Sequence, residues 1–226
     1  MADLAIICGA TGALGNAVVD AFAQRGDRVI AVARSRREVS ELEQKYPGVV
    51  TGDTADLTDR LAVDDLWDRI DRVGAPRWMV NATGGFRGGK VIDTSPDDFA
   101  LMMDLNLSTA WWSCRAAARR MTGGAIVNVA ARSALVIESG QAAYSIAKAG
   151  VVKLTEVLAA ELKNSGVRVN AVVPAVIDSP ANRQSLPEKL MQKAVPPAEI
   201  AAVIAYLCSD AADAITATAV PVYGRF

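Results

Sequence analysis

Apolar runs too continuous to line one wet face recur along this chain, each followed by a stretch of helical character. Residues 4–8, 28–33, 48–52, 78–82, 125–130, 167–173 and 217–222 are expected strands. Strands apolar on both faces need helices on both sides, so the fold class expected is α/β, a doubly wound parallel sheet of about seven strands. The intervening helices carry recognisable ends. One reaches about Arg25 and stops at Gly26; a charged one runs over 36–46 and ends before Pro47; Thr58 can cap a third over 59–73. Ser95 at the cap, Pro96 at the first position and Asp97 and Asp98 behind it open a helix expected to continue to about Met121. A helix over 143–164 is apolar around much of its circumference, which means deep burial or a subunit interface. Residues 174–197 are polar and irregular, a candidate substrate lid, and 197–209 is expected to be a surface helix.

Composition narrows the function classes. The chain is 51% hydrophobic and 22% charged, which suits one domain over residues 1–226 with a large core. Its 24 basic and 25 acidic residues give a net charge of −1, so neither nucleic acid nor a membrane surface is expected as partner. No apolar run is long enough to span a bilayer. The opening Met1-Ala-Asp-Leu enters a strand without a basic flank or cleavage site, so a cytoplasmic location is expected. Cys8, Cys114 and Cys208 are expected to be small core residues rather than a disulfide framework. Histidine is absent. That excludes Ser-His-Asp hydrolysis and histidine-ligated metal sites, no metal is expected, and proton transfer falls to tyrosine, lysine or carboxylates.

Two motifs carry the chemistry. Cys8-Gly9-Ala10-Thr11-Gly12-Ala13-Leu14-Gly15 is a glycine-rich turn between the first strand and the first helix. Gly9 and Gly15 have no side chain to block a pyrophosphate or the strand–helix contact, and the helix N-terminus favours phosphate charge. Tyr144 and Lys148 stand four residues apart on one helix, so phenol and ammonium share a face. A cation held there stabilises the phenolate and lets a tyrosine of pKa near ~10 exchange a proton at neutral pH. A bound dinucleotide with a positioned acid makes a carbonyl or imine reductase. At the end of the second strand, where a carboxylate would bond the ribose of NAD, the chain has Arg34-Ser35-Arg36-Arg37. Arg34, directly after the strand, is the guanidinium placed to pair a 2′-phosphate, so NADP(H) is favoured and NAD(H) is the alternative.

Together these residues resemble the short-chain dehydrogenase/reductase family, a Rossmann fold, from Met1 to about Val222. The resemblance implies further roles. Cofactor contacts are implied for Gly9, Thr11, Gly12, Ala13 (at the family's middle glycine), Leu14 and Gly15. Asp56-Leu57 matches the aspartate that bonds the adenine amino group, with simple capping as the other reading. Asn81-Ala82-Thr83-Gly84 is similar to the family's Asn-Ala-Gly element, although Asn81 also suits a sheet-stabilising role. Asn106, a poor helix former, matches the asparagine that bends its helix and holds a water beside the lysine; the alternative is an amide bonded to backbone. Pro174, Ile177 and Ser179 are implied to face the nicotinamide carboxamide. The catalytic serine, usually thirteen residues before the tyrosine, falls on Ala131. Ser133 is two residues on, and an extended chain would point it to the same side. Either it replaces the serine, or the site works without one; a two-residue shift of ~6.5 Å favours the second.

The serine-lacking members include the dihydropteridine reductases, and residues 177–187 resemble theirs as well. Residues named as pocket candidates are Phe86, Arg87, Leu135, Ile137, Asn182 and Arg183. The leading expectation is NADPH-dependent reduction of a small carbonyl, quinonoid or imine substrate, with Tyr144 as proton donor. The contrasting one is a non-catalytic NADP(H)-binding regulator. A homodimer or homotetramer is expected from the two apolar helices, the first carrying Trp111 and Trp112.

Overall fold

A computed structural model describes residues 2–226; Met1, where the resemblance begins, lies outside them. Seven strands form one parallel sheet: β1 (Leu4–Cys8), β2 (Arg28–Ala33), β3 (Val50–Thr54), β4 (Trp78–Asn81), β5 (Gly124–Val129), β6 (Val167–Pro174) and β7 (Ala219–Val222). Their order is β3-β2-β1-β4-β5-β6-β7. Every residue of β1 and of β6 is buried, as strands covered on both faces must be. The order reverses between β1 and β4, which opens a crevice beyond their carboxyl ends.

Helices α1 (Ala13–Arg25), α2 (Arg36–Lys45) and α3 (Arg60–Asp71) connect the first four strands. Gly26 ends α1 at φ 92°, a left-handed cap that other residues resist. Beyond β4 come α4 (Pro96–Met103), a π-helical turn (Asp104–Ser108), α5 (Thr109–Ala118) and α6 (Ala142–Glu161). The lid carries α7 (Pro180–Ser185) and α8 (Glu188–Met191), and α9 (Pro197–Leu207) precedes β7. One core packs Val18, Phe22, Ile200, Ile204 and Leu207 under α1 and α9. The opposite core packs Leu66, Trp67, Ile70 and Leu158 under α3 and α6.

Several boundaries differ from expectation, each for a local reason. β3 begins at Val50 and extends through Asp53 and Thr54, because pairing with β2 holds this polar edge. Asp59, not Thr58, caps α3 by accepting from the Leu61 N–H at 2.8 Å. Ser95 caps α4 as its sequence requires, accepting from Asp98 N at 3.0 Å. The long helix expected after it is broken by the π turn. The lid is partly helical. Helix α9 is not a surface helix on all sides, since Ile200, Ala201 and Ile204 are fully buried against the sheet. Among the described residues, no helix is long and apolar enough to cross a membrane.

Candidate active site

The site is built where two turns meet at the sheet reversal. Gly9 has φ 77°, and a Cβ there would lie 2.7 Å from the Thr83 nitrogen. A Cβ on Gly15 would lie 2.0 Å from the Gly9 carbonyl oxygen. Both must therefore be glycine, which fixes the backbone of the turn after β1 against that after β4. Gly12 caps α1 with no side-chain bond, and the first turn holds no acidic residue. The Gly12 and Ala13 backbones are exposed. This arrangement fits a pyrophosphate: free N–H groups at a helix N-terminus in a cradle that side chains would fill. Thr11 is partly exposed beside it, whereas the Leu14 side chain packs into the core and only its backbone can face a ligand.

At the adenosine end the three arginines separate. Arg36 bonds the Gly52 carbonyl at 2.7 Å and Glu43 at 2.6 Å. Arg37 lies 3.5 Å from Glu41. Arg34 is exposed and, among the described residues, has no hydrogen-bond or ion-pair partner. Asp56 accepts from the Thr58 hydroxyl at 2.7 Å and its N–H at 3.0 Å. Those bonds, helped by the Arg34 charge, hold its carboxyl below the usual range. A local turn to Thr58, not capping of α3, therefore occupies one oxygen of Asp56. Leu57 is buried.

Tyr144 and Lys148 project from α6 toward the Thr83-Gly84-Gly85 turn. Lys148 is 4% exposed, and its Nζ donates to the Val129 carbonyl at 2.8 Å. A Cβ on Gly84 would lie 3.2 Å from that Nζ and 2.8 Å from Asn106 Oδ1, so all three face one small space. Asn106 sits in the π turn, 1% exposed. Its Nδ2 donates to the Gly85 carbonyl at 3.0 Å, and its Oδ1 accepts from the Gly85 N–H at 3.2 Å. The same Nδ2 reaches the Met102 carbonyl at 3.0 Å. Asn106 is thus a buried amide bonded to backbone, in a helix locally widened at that residue. The Phe86 ring stands edge-on to Tyr144, with centroids 5.0 Å apart.

Burial governs both side chains of this pair. Lys148 Nζ is 5.9 Å from the Tyr144 ring centroid and is committed to Val129. Burial pushes the Tyr144 phenol up to about 12 and the Lys148 amine down to about 8. The lysine is therefore the group that titrates near neutrality, while the tyrosine lies above its ordinary range.

Other candidates are placed differently from expectation. Asn81 turns into the interior, donating to Asn128 Oδ1 at 2.7 Å and to Cys114 Sγ at 3.3 Å. Asn128 continues to Thr155 at 2.9 Å. The Asn81 side chain ties β4 to β5 and offers a cofactor nothing, because both ends of that chain are buried. Ala82 and Thr83 lie at the crevice, and the Thr83 hydroxyl is buried without a partner. Ala131 is extended and buried at the end of β5.

Ser133 does not follow it as an extended residue, since Arg132–Ala134 is a 3-10 turn. It lines an outer groove of about 370 Å³ with Ser145, Ile146 and Ala149. At 100° per residue those positions occupy the side of α6 away from Tyr144 and Lys148. The Ser133 hydroxyl is buried without a hydrogen-bond partner among the described residues, so no bond ties it to Tyr144 or Lys148. In the lid, Pro174 ends β6, and Ile177 pairs with Val195. Ser179 is spent as the cap of α7, accepting from Asn182 N at 3.2 Å. Arg87 pairs with Asp98 at 2.6 Å, and Arg183 with Asp178 at 2.5 Å. Phe86, Leu135 and Ile137 are exposed. The three cysteines are buried and free, their thiols pushed up to about 12 by burial.

Three residues escaped the sequence reading: Arg132, Glu138 and Gln141. Glu138 accepts from both Arg132 Nη1 and Gln141 Nε2 beside the first turn of α6. The signal was present, since Glu138 is the sole carboxylate between Asp104 and Glu156.

Comparison with known proteins follows this geometry. A family model described as enoyl-(acyl carrier protein) reductase matches residues 9–224. The galactitol 2-dehydrogenase of Rhizobium johnstonii is 33% identical, covering 99% of this chain and 95% of its own length. Carbonyl reductase family member 4 of Danio rerio is 30% identical over 92% of this chain and 91% of its own. A crystal structure from Burkholderia xenovorans, given as a short-chain dehydrogenase/reductase, superposes with a TM-score of 0.91 at 31% identity. It covers 98% of this chain and 95% of that one.

The buried lysine has a measurable signature. Burial lowers its folded-state pKa to about 8, from an ordinary 10.5. Between these values the unfolded chain binds more protons, so stability rises with pH there. The urea midpoint of the protein minus that of Lys148→Met should climb from pH 8 to pH 10.5. A flat difference would mean that the amine is solvated. The opposing contribution of Tyr144 begins only above pH ~10 and is common to both proteins.

Proposed function

The chain belongs to the short-chain dehydrogenase/reductase family and is a nicotinamide-dinucleotide-dependent oxidoreductase, and on that premise we propose that it reduces an activated carbonyl, quinonoid or imine substrate with NADPH. The observation that carries this reading is Lys148 facing Gly84, with Tyr144 one turn earlier on α6 and edge-on to Phe86, and with Ala131, not serine, just past β5. When bound, the nicotinamide supplies the hydride. The chain supplies the rest. The Tyr144 hydroxyl protonates the oxygen or nitrogen that gains charge. Phe86 fixes the ring edge-on, and Lys148 supplies the positive charge nearest the phenolate left behind. With its amine at about 8, Lys148 also exchanges protons near neutral pH, the range in which an acid–base group works best. Asn106 locks Gly85 and so keeps Gly84 bare against the amine.

Substrate class follows from what is missing. A donor lost from the developing oxyanion costs ~10²–10³-fold in rate, which an already electrophilic quinonoid or imine tolerates better than a simple ketone. The resemblance to serine-lacking dihydropteridine reductases agrees. Arg34, exposed and unpaired among the described residues, supports a 2′-phosphate and hence NADP(H) over NAD(H). We read residues 1–226 as one dinucleotide-binding domain with a lid at about 175–197. Three free thiols suit a reducing compartment, so the reading puts the enzyme in the cytoplasm.

Tyr144→Phe should lower NADPH-dependent turnover by ~10²–10⁴-fold with cofactor affinity kept, because only the transferable proton is lost. Near-normal turnover in this variant would remove the assigned acid.

Arg34→Asp should weaken NADPH by ~10–100-fold in calorimetry and leave NADH little changed, as loss of a charge-assisted bond does. Equal affinity of the unmutated protein for the two cofactors would refute the phosphate assignment.

The reading includes a homodimer or homotetramer. Phe99, Trp111, Ile146 and Val157 are exposed on the outer faces of α4, α5 and α6, while Trp112 packs inward. Sedimentation at micromolar concentration should give a species of at least two chains, and a monomer would reject the assembly.

A further inference from the structure

We propose that Glu138 is a positioning residue for the proton donor: by holding Arg132 and Gln141 at once, it sets the distance between the end of β5 and the start of the Tyr144 helix. This rests on the reading of Tyr144 as the acid. The loop between Ala131 and α6 has little else to define it. Its first turn is closed by Ala134 N to Ala131 O at 2.9 Å and by Val136 N to Arg132 O at 2.9 Å. Its last residue is fixed where Gly89 N donates to the Gly140 carbonyl at 2.8 Å and Ala142 N to the Gly89 carbonyl at 3.0 Å. Between these, residues 137–139 make no backbone hydrogen bond among the described residues. Leu135 and Ile137 are exposed, so apolar packing does not hold the segment either.

Glu138 fills that gap with one side chain. One carboxylate oxygen takes Arg132, the residue after Ala131, whose guanidinium also lies 5.8 Å over the Tyr223 ring. The other takes Gln141, whose carbonyl accepts from Ser145 N at 2.9 Å to start α6. The ion pair is partly shielded, with side chains 31% and 28% exposed, so solvent weakens it less than a free surface pair. Both ends of the bridged loop border the reaction space: Ala131 where the serine would stand, and Tyr144 three residues past Gln141. In a site with a single hydrogen-bond donor to the substrate, the placement of that donor carries all the orientation. A misplacement of about 1 Å costs up to ~10²-fold.

The test uses the full-length protein with NADPH and phenanthrenequinone as probe. Glu138→Ala should lower kcat/KM about tenfold while the NADPH dissociation constant, from fluorescence titration, stays within about twofold. Glu138→Asp should recover part of the loss. The exchange Arg132→Glu with Glu138→Arg should recover more than either single change, because a glutamine amide can accept from an arginine as readily as it donates to a carboxylate. A wild-type rate in Glu138→Ala would overturn the proposal. So would a loss matched by equal losses of cofactor affinity and melting temperature, or an exchange variant as poor as the singles. Tyr144→Phe is measured alongside. If it stays active, the acid assignment fails; if it is inactive while Glu138→Ala is unaffected, only the positioning role fails.

Discussion

Everything at the site depends on two stretches of backbone that come too close for a side chain. The turn after β1 meets the turn after β4 at Gly9 and Thr83, and folds tightly on itself where Gly15 faces the Gly9 carbonyl. Remove that contact and the strand ends part, the free N–H groups of α1 lose their fixed aim, and Gly84 no longer faces Lys148. The sheet order makes the contact available, because β1 and β4 are neighbours in the sheet although Gly9 and Thr83 are distant along the chain. Glycine makes it affordable.

The second constraint is electrostatic. Lysine is costly to bury, and here the amine keeps one backbone carbonyl as compensation. The fold gives up stability to hold a cation one helical turn from Tyr144. Asn106 shares this logic. Its amide satisfies both backbone groups of Gly85, so the loop beside the amine stays ordered without a side chain in it. The π turn is what lets the amide reach, since a regular helix would commit the Met102 carbonyl to a backbone N–H instead.

Much of this was legible in the sequence, and the failures have physical causes. Strands β1 and β2 and the cap at Ser95 were readable because each depends on residues within a few positions: an apolar run between polar breaks, or an oxygen facing its own helix. The cradle glycines and the Tyr144–Lys148 pair were readable for the same reason. The polar half of β3 was hidden because only its partner strand makes Asp53 and Thr54 extended. Asn106 marked the place where the long helix is broken, but its partner Gly85 was hidden because it lies in another segment. The motif left two roles open for Asn81 because it gives a side chain's position in the chain but not its direction, and the bond to Asn128 settles on the sheet. Glu138 was overlooked because its two partners matter only once the loop has closed.

The reversal of the sheet also has a consequence for how the chain comes into being. As residues emerge in order during synthesis, β1, β2 and β3 can pair first, leaving the inner edge of β1 open. That edge presents Ala5, Ile6 and Ile7 with unpaired backbone groups until Trp78–Asn81 arrives to cover it. During that interval the nascent chain holds half a sheet and no binding crevice. It is then at its most vulnerable to joining another chain by the same edge. Docking of β4 therefore forms the crevice and covers β1 in one step, and passes the open edge to β4 until Gly124–Val129 pairs with it.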